Sequence, residues 1–167
     1  PSTERNQALL FLLLDTGVRV SELCALSIHD CDLKNMRIVV MGKGSRERQI
    51  PFSARTAQVI WRYLSTRPDA RLDEPLLASS SGRRLDRNNV LHILYRIGSR
   101  AGVSNCHPHR FRHTFAVMYL RNGGDPFTLQ RILGHSTLTM VNRYLSLAQS
   151  DLAAAHRRAS PIDNLRV

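Results

Sequence analysis

Apolar positions along the chain fall into short helical and strand-like runs separated by polar turns. Ser2 or Thr3 can cap a first helix through Leu9, Leu10, Phe11, Leu13 and Leu14, and Asp15-Thr16-Gly17 ends it. So nearly unbroken an apolar run predicts a helix that is central and buried on most sides. Residues 36–41 read as a strand and 46–51 as its partner, with Gly42-Lys43-Gly44-Ser45 as the hairpin between them. Ser53 caps a helix that places Val59, Ile60 and Leu64 on one side, with Trp61 and Tyr63 as packing groups. A polar loop over 67–74 leads to Leu76-Leu77, a candidate short strand, and residues 79–82 turn the chain. Asp86 then caps a helix to about Arg100 that offers Val90, Leu94 and Ile97 to a core. The fold class predicted is mainly α with a small antiparallel β-hairpin or sheet, an α+β chain.

Residues 107–145 predict three short helices in succession. Pro108 suits a first helical position and Asn122-Gly123-Gly124 stops the helix; Asp125 caps the next, with Pro126 just inside it; Gly134 ends that one, and Ser136 caps a third. On the first of these, His109, Arg112 and His113 share one face by their i, i+3, i+4 spacing, and Phe111, Phe115 and Met118 are expected on the opposite, packed face. His135 follows the glycine stop. Tyr144 sits beside the apolar stripe of Leu138, Val141 and Leu145, and because helical side chains lean toward the N-terminus it points back toward His135. A histidine–arginine face, a turn histidine and a tyrosine can together surround one anion.

Charge sharpens this picture. The 167 residues carry 24 Lys and Arg against 13 Asp and Glu, a net +11 with neutral histidines, spread through structured sequence and not gathered in a tail. Such a balance favours a polyanion as partner, nucleic acid first, over the alternative of an acidic small substrate. Cys24, Cys31 and Cys106 are odd in number and contain no C-x-x-C pair, which suggests neither a disulfide frame nor a zinc site and fits a reducing cytosol. Cys106, His107, His109 and His113 match no common zinc spacing. The apolar run from 8 to 14 is too short to span a bilayer, no signal peptide is visible, and no glycine-rich phosphate loop or carboxylate cluster suggests a cofactor.

The order His109-x-x-Arg112-His113-Thr114-Phe115-Ala116, then Leu133-Gly134-His135-Ser136, then Tyr144 nine residues after His135, resembles the signature of the tyrosine recombinases, the phage integrase family. A second H-x-x-R frame, His107 and Arg110, lacks the His-Thr/Ser-Phe-Ala that follows the family's arginine. Residues 16–23, with Arg19 and Glu22, are similar to the box that carries the family's first arginine and an acid three residues later, and residues 42–51 fit its G-K-G-x-x-x-R-x-[IV]-P hairpin. Taken alone, Arg19 is an ordinary helix-start arginine and Lys43 an ordinary turn lysine.

The resemblance covers about 16–144 and implies a single catalytic domain over 1–167, without the N-terminal DNA-clamping domain that full-length members usually carry. It implies site-specific recombination, or integration, of double-stranded DNA through a 3′-phosphotyrosine, in a homo-oligomer, a tetramer, on the DNA, in the cytoplasm at the nucleoid. The implied catalytic set is Arg19, Lys43, His109, Arg112, His135 and Tyr144, with Glu22 and His113 in support and no metal or cofactor. Arg83, Arg84, Arg87, Arg96 and Arg100 are candidate DNA contacts, weighed against a plain solvated face. A type IB topoisomerase-like relaxation activity and a non-catalytic DNA-binding regulatory module are the alternatives. The segment after Tyr144, residues 150–159, carries Leu152, Ala155 and Ala159 on a stripe too thin to hold a helix alone, so it must dock, either on its own domain or on a neighbouring protomer.

Overall fold

Helix α1, Ser2–Thr16, buries Arg5, Ala8, Leu9, Leu12, Leu13 and Thr16 along one stripe and leaves Leu14 exposed. The structure, a computed structural model, describes residues 2–42, 47–135, 137–148, 156–157, 160 and 162. The expectation of burial on most sides is therefore corrected to burial along one stripe. A 3.6-residue repeat turns part of any apolar run away from the core, and Leu14 lies on that outer side. After α1 come α2, Val20–Ala25, a 3₁₀ turn at Ile28–Asp30 and strand β1, Cys31–Asp32. Strands β2, Arg37–Met41, and β3, Glu47–Pro51, pair antiparallel with Val39 opposite Gln49, and β1 pairs with β2 on the other side. This three-stranded sheet contains the foreseen hairpin strands plus β1, which two residues of sequence could not signal.

Ser53 caps α3, Ala54–Leu64, by accepting the Thr56 N–H, and α3 packs on α1. Tyr63 is buried and its hydroxyl accepts the Ala78 N–H at 3.1 Å, whereas Trp61 is 64% exposed and is not the packing group expected. Trp61 lies off the stripe of Thr56, Val59, Ile60 and Tyr63 that faces the core. Leu76 and Leu77 are buried but form no strand. Isolated bridges at Ser27–Pro75 and Ala78–Arg84 flank them instead, and the 79–82 turn closes the second bridge. Asp86 accepts the Asn89 N–H at 2.7 Å and caps α4, Arg87–Arg100, which packs on α2 and buries Val90, Ile93 and Leu94.

Helices α5, Pro108–Arg121, α6, Pro126–Leu133, and α7, Thr139–Ala148, occupy the positions expected of them. Asp125 accepts the Thr128 N–H at 2.6 Å, and Gly134 takes the left-handed conformation, φ 63°, that ends α6. The proposed Ser136 cap lies outside the described residues. On α5 the buried positions are Arg112, Ala116 and Leu120, spaced by four, while Met118 is 46% exposed and Phe111 and Phe115 are half-buried. The face assignment from sequence is thus corrected: the buried stripe runs through Arg112, Ala116 and Leu120, and not through Phe111, Phe115 and Met118.

The chain divides into two compact units, Pro1–Phe115 and Ala116–Val167. In the first, Leu9, Leu12, Ile38, Ile50, Ile60, Leu76 and Leu94 are fully buried; in the second, Ala116, Leu129, Leu133 and Val141 are. Burying one such leucine or isoleucine side chain contributes about 1.5–3 kcal/mol. Among the described residues no helix is long and apolar enough to cross a membrane.

Candidate active site

The site in the first unit is organised by the turn that ends α1. Thr16 Oγ1 donates to the Leu12 carbonyl at 2.6 Å and accepts the Val18 N–H at 3.2 Å, closing the helix end. Gly17 then takes φ 58°, a conformation most side chains avoid, and its carbonyl accepts Arg112 Nη1 at 2.6 Å. Arg112 is thereby held, buried, from a helix 95 residues further along the chain. Val18 is buried, and Arg19, extended at φ −68°, ψ 144°, stands at the N-cap of α2.

Glu22, at the third position of α2, reaches back to the helix start. Its Oε2 accepts the Arg19 N–H at 3.0 Å and its Oε1 accepts Arg19 Nη1 at 2.9 Å. Arg48 on β3 approaches the same carboxylate with a two-pronged fork, Nη1 to Oε1 at 2.9 Å and Nη2 to Oε2 at 2.8 Å. Burial pushes the Glu22 carboxyl up, but the Arg48 hydrogen bonds, the Arg19 amide and the Arg48 charge together bring it below its ordinary value, so it is a carboxylate at neutral pH. Arg48 carried no role in the sequence reading. Its signal was its place as the arginine of the hairpin pattern.

Arg19, Arg112 and His109 line one cavity of about 180 Å³, with Val18, Ser21 and Arg87 beside them. The side chains come from α2's start, α4 and the first turns of α5, with His109 exposed and Arg112 buried. The cavity therefore presents three arginines, a histidine and a serine hydroxyl. Arg87 was expected as a DNA contact and is found in this lining.

In the second unit, His135 is pinned through its backbone. Its N–H donates to the Gln130 carbonyl at 3.1 Å, and Gln130 Nε2 donates to the His135 carbonyl at 3.2 Å. Its ring lies nearly parallel to that of Tyr144, 12° between planes and 6.4 Å between centroids, in keeping with the lean expected from the helix. Tyr119 is a different kind of tyrosine: burial, and then the Asp125 carboxylate, push its phenol up, which disfavours a phenolate there.

The remaining predicted residues are placed as follows. Lys43 lies outside the described residues. His113 is exposed on α5. Arg84 Nη1 donates to the Cys24 and Leu26 carbonyls at 3.0 and 2.8 Å, and its Nη2 to Ser27 Oγ at 3.0 Å, so it closes the C-terminal end of α2. Arg83, Arg96 and Arg100 are exposed. The three thiols are free; burial pushes Cys31 up to about 12. Among the described residues no three His, Cys, Asp or Glu side chains gather as a metal site. Of the segment after Tyr144 only residues 156–157, 160 and 162 are described, with His156 and Arg157 helical and exposed; the Leu152–Ala155–Ala159 stripe lies outside them.

Comparison with known proteins extends these observations. The phage integrase family profile matches residues 1–151. The tyrosine recombinase XerC of Staphylococcus carnosus (strain TM300) is 38% identical over 160 residues, covering 94% of this chain and 54% of that protein. The tyrosine recombinase XerA of Thermococcus kodakarensis is 38% identical over 169 residues, covering 99% and 59%. Among solved structures, the crystal structure of XerA recombinase superposes with a TM-score of 0.80 at 33% identity, covering 96% of this chain and 58% of that one. XerH site-specific recombinase, bound to palindromic difH substrate in a post-cleavage complex, gives 0.76 at 25% identity over 92% and 45%. The chain spans about half the length of the curated relatives it matches. With a family profile that runs through the cavity-lining arginines to Tyr144 and beyond, the chain belongs to the phage integrase family.

Proposed function

We propose that this chain cuts and rejoins double-stranded DNA as the catalytic part of a tyrosine-type site-specific recombinase. The observation that carries the reading is the meeting of Arg19, His109 and Arg112, from well-separated stretches of sequence, around one cavity of about 180 Å³. A phosphodiester repels nucleophiles through its own oxygens, so catalysis consists largely of compensating charge as the five-coordinate state forms. The planar forks of Arg19 and Arg112 suit the two nonbridging oxygens, and His109 and His135 can donate to those oxygens or move a proton.

Tyr144 attacks phosphorus. A phenol in water is only about one part in a thousand phenolate at neutral pH, so the proton must pass to a neighbouring base or the positive field must favour the anion. The bond to the 5′-oxygen breaks, Lys43 supplies its proton, and the protein retains a 3′-phosphotyrosine. A 5′-hydroxyl of another strand attacks that phosphotyrosine, returns the proton, and restores the phenol. The bond energy is conserved throughout, so neither a nucleotide nor a metal cofactor is required. The protein acts in the cytoplasm as a tetramer on DNA, because exchange between two duplexes needs four strand breaks in all.

A nicked duplex that lets the 5′ product diffuse away tests the nucleophile. Tyr144→Phe is expected to abolish the detergent-resistant protein–DNA adduct, while Tyr119→Phe and Tyr95→Phe retain it. An adduct from Tyr144→Phe would remove Tyr144 from this role.

A further inference from the structure

Two arginines share the Glu22 carboxylate, and only one of them reaches the cavity. Arg19 lines it and its side chain is 39% exposed, whereas Arg48 and Glu22 are 14% and 8% exposed. A carboxylate offers about four acceptor positions, and here four hydrogen bonds fill them, two from Arg19 and two from Arg48. Consider the charge without Arg48. Arg19 and Glu22 would then form a neutral pair, and the guanidinium would meet an incoming phosphate with its charge already spent on a carboxylate 2.9 Å away. With Arg48 present the three groups sum to +1, and the half-buried Arg48, which is not among the cavity-lining residues, neutralises Glu22. The two-pronged fork also fixes the carboxylate plane, so Glu22 cannot swing with Arg19.

We propose that Arg48 is a positioning residue that acts through Glu22, holding the Arg19 guanidinium in place and leaving its positive charge available to the DNA phosphate. This inference rests on the proposed role of Arg19 in phosphoryl transfer. Arg48 touches no reacting atom; it sets the charge and orientation of a group that does.

A duplex carrying a methylphosphonate at the cleaved position tests it, because replacing one nonbridging oxygen by methyl removes the negative charge Arg19 is there to compensate. Cleavage rates on phosphodiester and methylphosphonate are taken from the same preparation of the full chain, so any misfolded fraction cancels in their ratio. Arg48→Gln is expected to slow phosphodiester cleavage about ten- to a hundredfold, the range by which one charge-assisted hydrogen bond moves an equilibrium, and to recover most of that loss on methylphosphonate. Arg48→Lys, which keeps the charge but not the fork, should fall between Gln and the parent. Arg19→Ala should show the same shift of the ratio more strongly. If Arg19→Ala shifts the ratio and Arg48→Gln does not, Arg48 is only a structural brace and the inference fails while the role of Arg19 stands. If neither shifts it, the assignment of Arg19 fails and this inference with it.

Discussion

Protonating Glu22 takes an acceptor from Arg19 and Arg48 together. Its folded carboxyl lies below an ordinary glutamate's 4.5, since Arg48 and the Arg19 amide outweigh the effect of burial. A carboxylate with a depressed folded value contributes stability that is fully present above the unfolded value and is lost as pH falls through the folded one. Glu22→Gln should therefore cost on the order of 3 kcal/mol at pH 7, because it removes the carboxylate charge that Arg19 and the largely enclosed Arg48 share. The difference from the parent should shrink steadily below about pH 4.5, where the parent's own carboxylate is being protonated. Urea unfolding of both proteins at pH 7 and at successively lower pH measures this, and a gap that stays constant down to pH 3 would show that the carboxylate form is not what stabilises the fold.

Elements matter here by the way their ends are fixed. The start of α5, which carries His109 and Arg112, follows a loop that folds back on the end of α4, where the Val103 N–H donates to the Gly98 carbonyl at 2.8 Å. Gly98 has no room for a side chain: a Cβ there would stand 2.4 Å from Cys106 Cβ and 2.8 Å from the Val103 carbonyl oxygen. Backbone cannot rotate aside as a flexible side chain can, so Gly98→Ala must separate α4 from the loop leading into α5. The expected loss is about 1–3 kcal/mol, the usual range for overpacking, read by urea unfolding. Cleavage should fall further than stability, because the shift moves His109 and Arg112 relative to Arg19. As a control, Gly82→Ala meets open space, although its φ of 77° is strained for alanine, and it lies away from this cavity.

Over the whole molecule, the net charge of +11 is expected to supply DNA affinity without regard to sequence, and we propose that the segment after Tyr144 serves assembly by docking on a neighbouring protomer, against the alternative of docking on its own domain. That segment follows the proposed nucleophile almost at once, so strain on it would reach Tyr144. Deleting residues 150–167 should leave binding to a single site within about threefold of the parent, weaken the pairing of two sites, and alter cleavage by Tyr144. Gel shifts with one-site and two-site DNA, together with adduct yield, separate these effects. A truncated protein that pairs sites normally and merely melts earlier would make the segment a brace on its own domain.

What the sequence determined by itself was local. Caps at Ser53, Asp86 and Asp125, the left-handed stops at Gly17 and Gly134, the β2–β3 hairpin strands and the spacing from His109 to Tyr144 are each decided by neighbouring residues, because turns and caps are made within a few positions of chain. Tertiary structure decided which faces are buried and which charges meet. Hydrophobicity set Phe111, Phe115 and Met118 against the core of α5, but Arg112 is the buried residue, since the Gly17 carbonyl, 95 positions away in sequence, accepts its guanidinium. Trp61 was given to the core by its size and lies in solvent, because the register of α3 on α1 selects Ile60 and Tyr63 instead. Arg48 was one basic residue in a strand until the sheet carried it to Glu22, 26 positions earlier, a meeting that no helical or strand periodicity encodes.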